Sequence, residues 1–259
     1  MNVAPRMARL GTESAFEVLA RARQLERAGR EIVHLEIGEP DFDTPRHIKD
    51  AAKQALDAGA THYGPAAGLP ELREAIAKHV AETRGVAVAP EEVVVTPGAK
   101  PIMFFTIMAM IGEGDEVIHP NPGFPIYESV INFVGGVPVP IPLREESGFG
   151  FDLDLFERRI SPKTKLIVIN SPENPTGGVL DRGQIERIAR IAVERNIPVL
   201  TDEIYRQFLY EGEFASIMNL PGMRERTILL DGFSKSYAMT GWRLGYGVDR
   251  KSTRLNSSH

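Results

Sequence analysis

The chain contains no cysteine. That excludes disulfides, thiolate nucleophiles and Cys-ligated metals. It also fits a reducing compartment, so a cytoplasmic location is the expectation. A long apolar run is missing too. The longest covers residues 101–111, well short of the roughly 20 residues a bilayer-spanning helix needs. It reads as a buried helix, and no membrane partner is expected. Residues 1–20 carry charges throughout and lack the apolar centre of a secretory leader. There is no excess of positive charge: 30 Lys and Arg stand against 35 Asp and Glu, a net charge of -5. The basic residues form no stripe, which argues against a nucleic-acid partner. The six histidines are dispersed, with no pair at metal-ligand spacing, so no metal is expected. Neither a G-x-S-x-G elbow nor a G-x-G-x-x-G turn after a strand occurs.

What remains is an ordinary globular composition of 259 residues, 42% hydrophobic and 25% charged. Hydrophobic periodicity and turn residues predict helices over 14–30, 45–57, 69–84, 101–111, 126–133, 153–159 and 181–195. Strands are predicted over 32–37, 93–95, 116–119, 137–141, 166–170, 198–201, 227–230 and 243–248. Several strands are apolar on both faces and alternate with helices. That pattern predicts an α/β fold: three α/β/α layers around a mostly parallel central sheet. Ligands in such folds bind beyond the carboxyl ends of strands. Here those ends read Thr96-Pro97-Gly98, Asn170-Ser171-Pro172, Asp202-Glu203 and Asp231-Gly232. Residues 250–259 show no hydrophobic period and look like a non-native tail.

Four stretches carry chemistry. Gly232-Phe233-Ser234-Lys235 continues through Ser236-Tyr237-Ala238-Met239-Thr240-Gly241-Trp242-Arg243-Leu244-Gly245. A lysine among small and apolar residues at a strand end is favoured as the neutral amine, the form that attacks an aldehyde. Arg243, eight positions on, supplies a fixed positive charge for a phosphate. The plain alternative is a surface lysine on a turn. Asp202 follows a strand, with Tyr205 three residues later on the same side of an expected helical turn; the plain alternative is a helix cap. Asn170-Ser171-Pro172-Glu173-Asn174-Pro175-Thr176-Gly177 is a rigid turn. Thr96-Pro97-Gly98-Ala99-Lys100 joins a strand to a helix, where free N–H groups can cradle an anion.

Together these stretches resemble the class I/II pyridoxal-phosphate-dependent aminotransferases, in particular the aspartate aminotransferase-like subgroup of fold type I. The likeness runs from about Glu31 to Val248. It implies pyridoxal 5'-phosphate as cofactor and an amino acid and a 2-oxo acid as substrates. It implies that Lys235 holds the cofactor as a Schiff base and moves the proton, and that Arg243 binds the phosphate. Gly98, Ala99 and Lys100 would cradle that phosphate through the backbone. Many members place a serine three residues before the lysine; here that position is Gly232, and Ser234 is the substitute hydroxyl. Asp202 would pair with the pyridine nitrogen, Tyr205 and Asn174 would bond the ring oxygen, and Phe124 would stack on the ring. Gly38 and Asn174 would touch substrate. Tyr63 would reach the neighbouring subunit's phosphate, which implies a homodimer. The implied organisation is an arm over 1–45, a cofactor-binding large domain over 46–249 and a smaller C-terminal domain that is missing from the chain. Nothing after Val248 can supply that domain's carboxylate-gripping arginine, so poor turnover is expected. A pyridoxal-phosphate lyase or synthase on the same scaffold, or a non-catalytic cofactor-binding fragment, remains open at this point.

Overall fold

In the computed structural model, residues 2–11 and 14–250 are described. The expected tail over 250–259 therefore lies outside the described residues except for Arg250. Helices begin and end where local chemistry favours it. Pro70 opens α3 (Pro70–Arg84), and Gly85 closes it in the left-handed conformation at φ 65°. Asp181 accepts from the Gln184 N–H at 2.8 Å, and Gln184 returns the bond to the Asp181 N–H at 3.0 Å. This reciprocal cap starts α7 (Arg182–Glu194). The remaining helices are α1 (Ser14–Arg27), α2 (Arg46–Asp57), α4 (Lys100–Met110), α5 (Ile126–Val134) and α6 (Leu153–Arg159).

Seven strands form one sheet: β1 (Val93–Thr96), β2 (Glu116–Asn121), β3 (Val137–Pro142), β4 (Thr164–Asn170), β5 (Val199–Asp202), β6 (Thr227–Gly232) and β7 (Gly245–Val248). Their spatial order is β1-β7-β6-β5-β4-β2-β3. All pairings from β3 to β6 are parallel, and β7 alone runs against both neighbours, β1 and β6. The expected mostly parallel sheet is therefore present. Alternation along the strands divides the core. Val117, Val168, Leu200 and Leu230 pack under α4 and α5 on one face. Ile118, Ile169 and Val199 pack under α6 and α7 on the other, and Leu229, Tyr246 and Val248 continue that face under α3.

Three local expectations are corrected. Residues 32–37 form no strand: the segment is not part of the sheet, and Val33 and Leu35 are exposed. β7 begins at Gly245 rather than at residue 243, because Arg243 sits at φ 56°, ψ 53°, outside strand geometry. No α-helix follows Asp202. A turn leads instead into a short 3-10 segment, Arg206–Phe208. Among the described residues no helix is long and apolar enough to cross a membrane, and no cluster of metal-ligating side chains occurs.

Candidate active site

The carboxyl ends of β4, β5 and β6, together with the loop after β1, open on one cavity of about 680 Å³. This is where a parallel sheet leaves backbone groups unpaired and places ligands. Asp202 ends β5. It pairs with Leu230, so its side chain shares the face covered by α4 and α5. Tyr127 of α5 donates its hydroxyl to Oδ2 at 2.7 Å, and the Ile204 N–H donates to Oδ1 at 3.2 Å. Among the described residues no cation pairs with this carboxylate. Burial pushes it up to about 7, against the pull of those two hydrogen bonds.

Asn170 at the end of β4 fixes the adjoining loop. Its Nδ2 donates to the carbonyls of Asp202 at 2.9 Å and Pro172 at 3.1 Å, and its Oδ1 accepts from the Asn174 N–H at 2.9 Å. Asn174 Nδ2 then lies 3.5 Å from the Tyr205 hydroxyl. Tyr205 reaches this point from a turn, not from a helical first turn as the sequence predicts. Burial first, and the nearby Asp202 second, push its hydroxyl up to about 12.

Lys235 lies in a tight turn just after β6. The turn is closed by bonds from the Tyr237 N–H to the Phe233 carbonyl and from the Met239 N–H to the Ser234 carbonyl. The Lys235 Nζ donates to the Gly38 carbonyl at 2.5 Å and stands 5.7 Å from the Tyr205 ring centre. The segment around Gly38 thus crosses the cavity mouth. Thr240 ties it down further by donating to Glu39 at 2.9 Å. Ser234 is buried against the same cavity.

The opposite wall is the start of α4. Ala99 precedes its first residue, Lys100, and both line the cavity at this helix start. Arg243 lies alongside, its Nη1 donating to the Thr240 carbonyl at 2.8 Å. Glycine is required here by space. A Cβ on Gly98, at φ 84°, would overlap the Arg243 guanidinium. A Cβ on Gly245 would overlap the backbone of Gly98 and Ala99. At Gly232 a Cβ would lie 3.1 Å from Gly245 Cα and 3.2 Å from the Leu244 carbonyl oxygen, so close strand packing favours glycine there. Phe124 completes the wall, with Lys100 Nζ 5.3 Å from its ring centre.

The predicted residues Gly38, Ala99, Lys100, Phe124, Asn174, Asp202, Tyr205, Ser234, Lys235 and Arg243 thus line one cavity. Gly98 sits behind Arg243, and Tyr63 is fully exposed outside the cavity. Three further residues escape sequence reasoning. Tyr127 reads as an ordinary apolar position of α5. Glu173 reads as an exposed turn residue, yet it is buried and its Oε1 has no hydrogen-bond partner. Burial, reinforced by Asp202, pushes Glu173 up to about 9. Arg84 reads as a basic residue at a helix end, but its side chain is 0% exposed.

Comparison with known proteins adds one decisive observation. The profile of the family described as "Aminotransferase class I and II" matches residues 30–254. The chain belongs to this family. An aspartate aminotransferase of Pyrococcus abyssi is 47% identical over 84% of the chain and 56% of its own length. An aromatic-amino-acid aminotransferase of Thermococcus litoralis is 45% identical over 83% of the chain and 56% of its own length. The structure of aspartate aminotransferase from Thermus thermophilus with maleate superimposes with a TM-score of 0.94 at 42% identity, covering 98% of this chain and 66% of that one. The chain therefore spans a little over half the length of these two curated relatives and about two thirds of that aminotransferase structure.

Proposed function

We propose that the protein is a pyridoxal-phosphate-dependent aminotransferase that moves the amino group of an L-amino acid to a 2-oxo acid. The single observation that carries this reading is a convergence. A lysine amine, a buried carboxylate with no cation beside it among the described residues, and an arginine beside a helix start face one cavity. These donors fit the cofactor. Its phosphate is an anion suited to Arg243, Ser234 and the N–H groups of Ala99 and Lys100. Its ring nitrogen, when protonated, is the cation that Asp202 lacks. When bound, the cofactor supplies an aldehyde that condenses with amines and a ring that takes up electrons.

The chain's own residues then divide the work. Asp202 would pair with the protonated ring nitrogen, and Tyr127 favours the ionised form of Asp202 by donating to it. Asn174 and Tyr205 orient the ring oxygen, and Phe124 covers the ring face. Lys235 Nζ would be the base that takes and carries the proton from the substrate's Cα. Gly38 presents its carbonyl to that amine and faces the substrate. Tyr63, exposed and apart from this cavity, completes a neighbouring subunit's site in a homodimer. Residues 46–249 constitute the cofactor-binding domain, with 1–45 an N-terminal arm and a segment associated with the smaller domain. Relatives of nearly equal identity bear aspartate and aromatic names, so likeness at this level does not select the substrate side chain.

Titration of the chain with pyridoxal phosphate tests the reading. A visible absorbance band should form and persist through gel filtration. Lys235→Ala should abolish it, and an unchanged band in that variant overturns the assignment.

A further inference from the structure

Behind the cavity, on the α3 face of the sheet, lies a closed polar network that the proposed chemistry does not use. Arg84 is its centre. Its Nε donates to Glu203 Oε2 at 2.9 Å, its Nη2 to Asp231 Oδ2 at 2.5 Å, and its Nη1 to Thr83 Oγ1 at 2.8 Å. The two carboxylates belong to neighbouring strand ends. Glu203 follows Asp202 directly. Asp231 lies four residues before Lys235, and its Oδ1 accepts from the Gly232 N–H at 2.7 Å. Strand alternation explains the arrangement. Asp202 points into the cavity, so Glu203 points the other way, and Asp231 does the same one residue after Leu230.

We propose that Arg84 is a positioning residue for the cofactor site, its rigid fork setting the distance between the strand end that carries Asp202 and the turn that carries Lys235. The proposal rests on the cofactor reading of those two residues. The fork is planar and its donors are fixed, so it transmits a spacing that a flexible ammonium cannot. Each carboxylate has a second anchor. Ser216 donates to Glu203 at 2.7 Å, and Tyr246 of β7 donates to Asp231 at 3.0 Å. The network therefore also grips the strand that follows Arg243. Arg84 has a second effect on the same site, because it neutralises two carboxylates that lie close to Asp202. Without it, their charge would favour the protonated form of Asp202. A purely stabilising role predicts something different, since a buried ion pair is commonly replaceable by apolar groups without loss.

The test uses three variants of the chain: Arg84→Lys, Arg84→Met, and Arg84→Met combined with Glu203→Gln and Asp231→Asn. Each is measured by thermal melting, by the pyridoxal phosphate Kd, and by the pH midpoint of the bound cofactor's visible absorbance. Arg84→Met should melt far below the parent. The triple variant, with no unpaired charge, should melt close to the parent yet bind the cofactor about tenfold or more weaker, with a displaced midpoint. Arg84→Lys keeps the charge without the fork and should show the same Kd and midpoint changes at smaller size. Parental Kd and midpoint in a folded triple variant overturn the proposal. If the triple variant does not fold, parental values in Arg84→Lys overturn it. A parent chain that binds no cofactor, or a Lys235→Ala variant that keeps the band, overturns the underlying reading and the proposal with it.

Discussion

Asp202 and Glu203 are chain neighbours, both carboxylates, and both buried. They face opposite sides of the sheet and meet opposite fates. Glu203 finds a guanidinium at 2.9 Å and a hydroxyl at 2.7 Å. Asp202 finds one tyrosine hydroxyl and one backbone N–H. Among the described residues no cation offsets the electrostatic cost of its burial. A group left in that condition is prepared for a cation that arrives with a ligand. The α3 side is closed by the fold's own residues; on the proposed reading the cavity side is closed by the cofactor.

Substitutions can break this contrast. The largest effect is expected at Glu203→Gln, which leaves Arg84 short of one partner in a dry site. Asp231 still pairs the guanidinium, so a loss of about 1–3 kcal/mol is expected for the weakened charge-assisted bond, read by denaturant unfolding. Equal stability of variant and parent would show that the α3 side is not closed. Asp202→Asn should act in the other direction on the cofactor-free chain. The folded value of Asp202 stands at about 7 against an ordinary 3.8, so the native state holds more protons than the unfolded chain between those values. Its contribution to stability is therefore present at low pH and is lost as pH rises through about 7. The asparagine variant should lack that loss, melt higher than the parent at pH 8, and bind pyridoxal phosphate about tenfold or more weaker. A parent-like melting curve at pH 8 together with parent-like affinity would deny Asp202 its special position. Tyr127→Phe should have the smallest effect, about 1 kcal/mol in stability. The midpoint for Asp202 should move upward, because a bond to its ionised form is gone. An unmoved midpoint in cofactor-free titrations would mean that the hydroxyl does not tune the carboxylate.

The sequence makes the cavity side legible and leaves the α3 side unread. Lys235, Asp202, Asn174 and Arg243 sit in turn-rich stretches at strand ends, where local composition marks candidates and the resemblance to the aminotransferase family gives them their roles. Most strand and helix boundaries also follow from period and punctuation. Arg84 lies 119 residues before Glu203 and 147 before Asp231 in the chain, and no local pattern links positions so far apart. A cation in the last turn of a helix is also what the helix dipole favours, so its burial leaves no local mark. Glu173, set among prolines and an asparagine, has the composition of an exposed turn. Residues 32–37 mislead for a related reason: apolar alternation describes a segment that wants cover, and a ladder also needs an adjacent edge.

The single antiparallel strand has a consequence for the order of assembly. β1 launches the loop at Gly98 and Ala99, β6 launches the turn at Lys235, and the two strands meet only through β7. During synthesis from the N-terminus, strands β2 to β6 can pair as a parallel block while β1 waits with no neighbour. The two halves of the cavity are then joined by four residues that emerge after everything they connect. With Gly245 seated directly on the Ala99 backbone, that final pairing is a long-range closure, of the kind that folds slowly and leaves a strand edge open meanwhile.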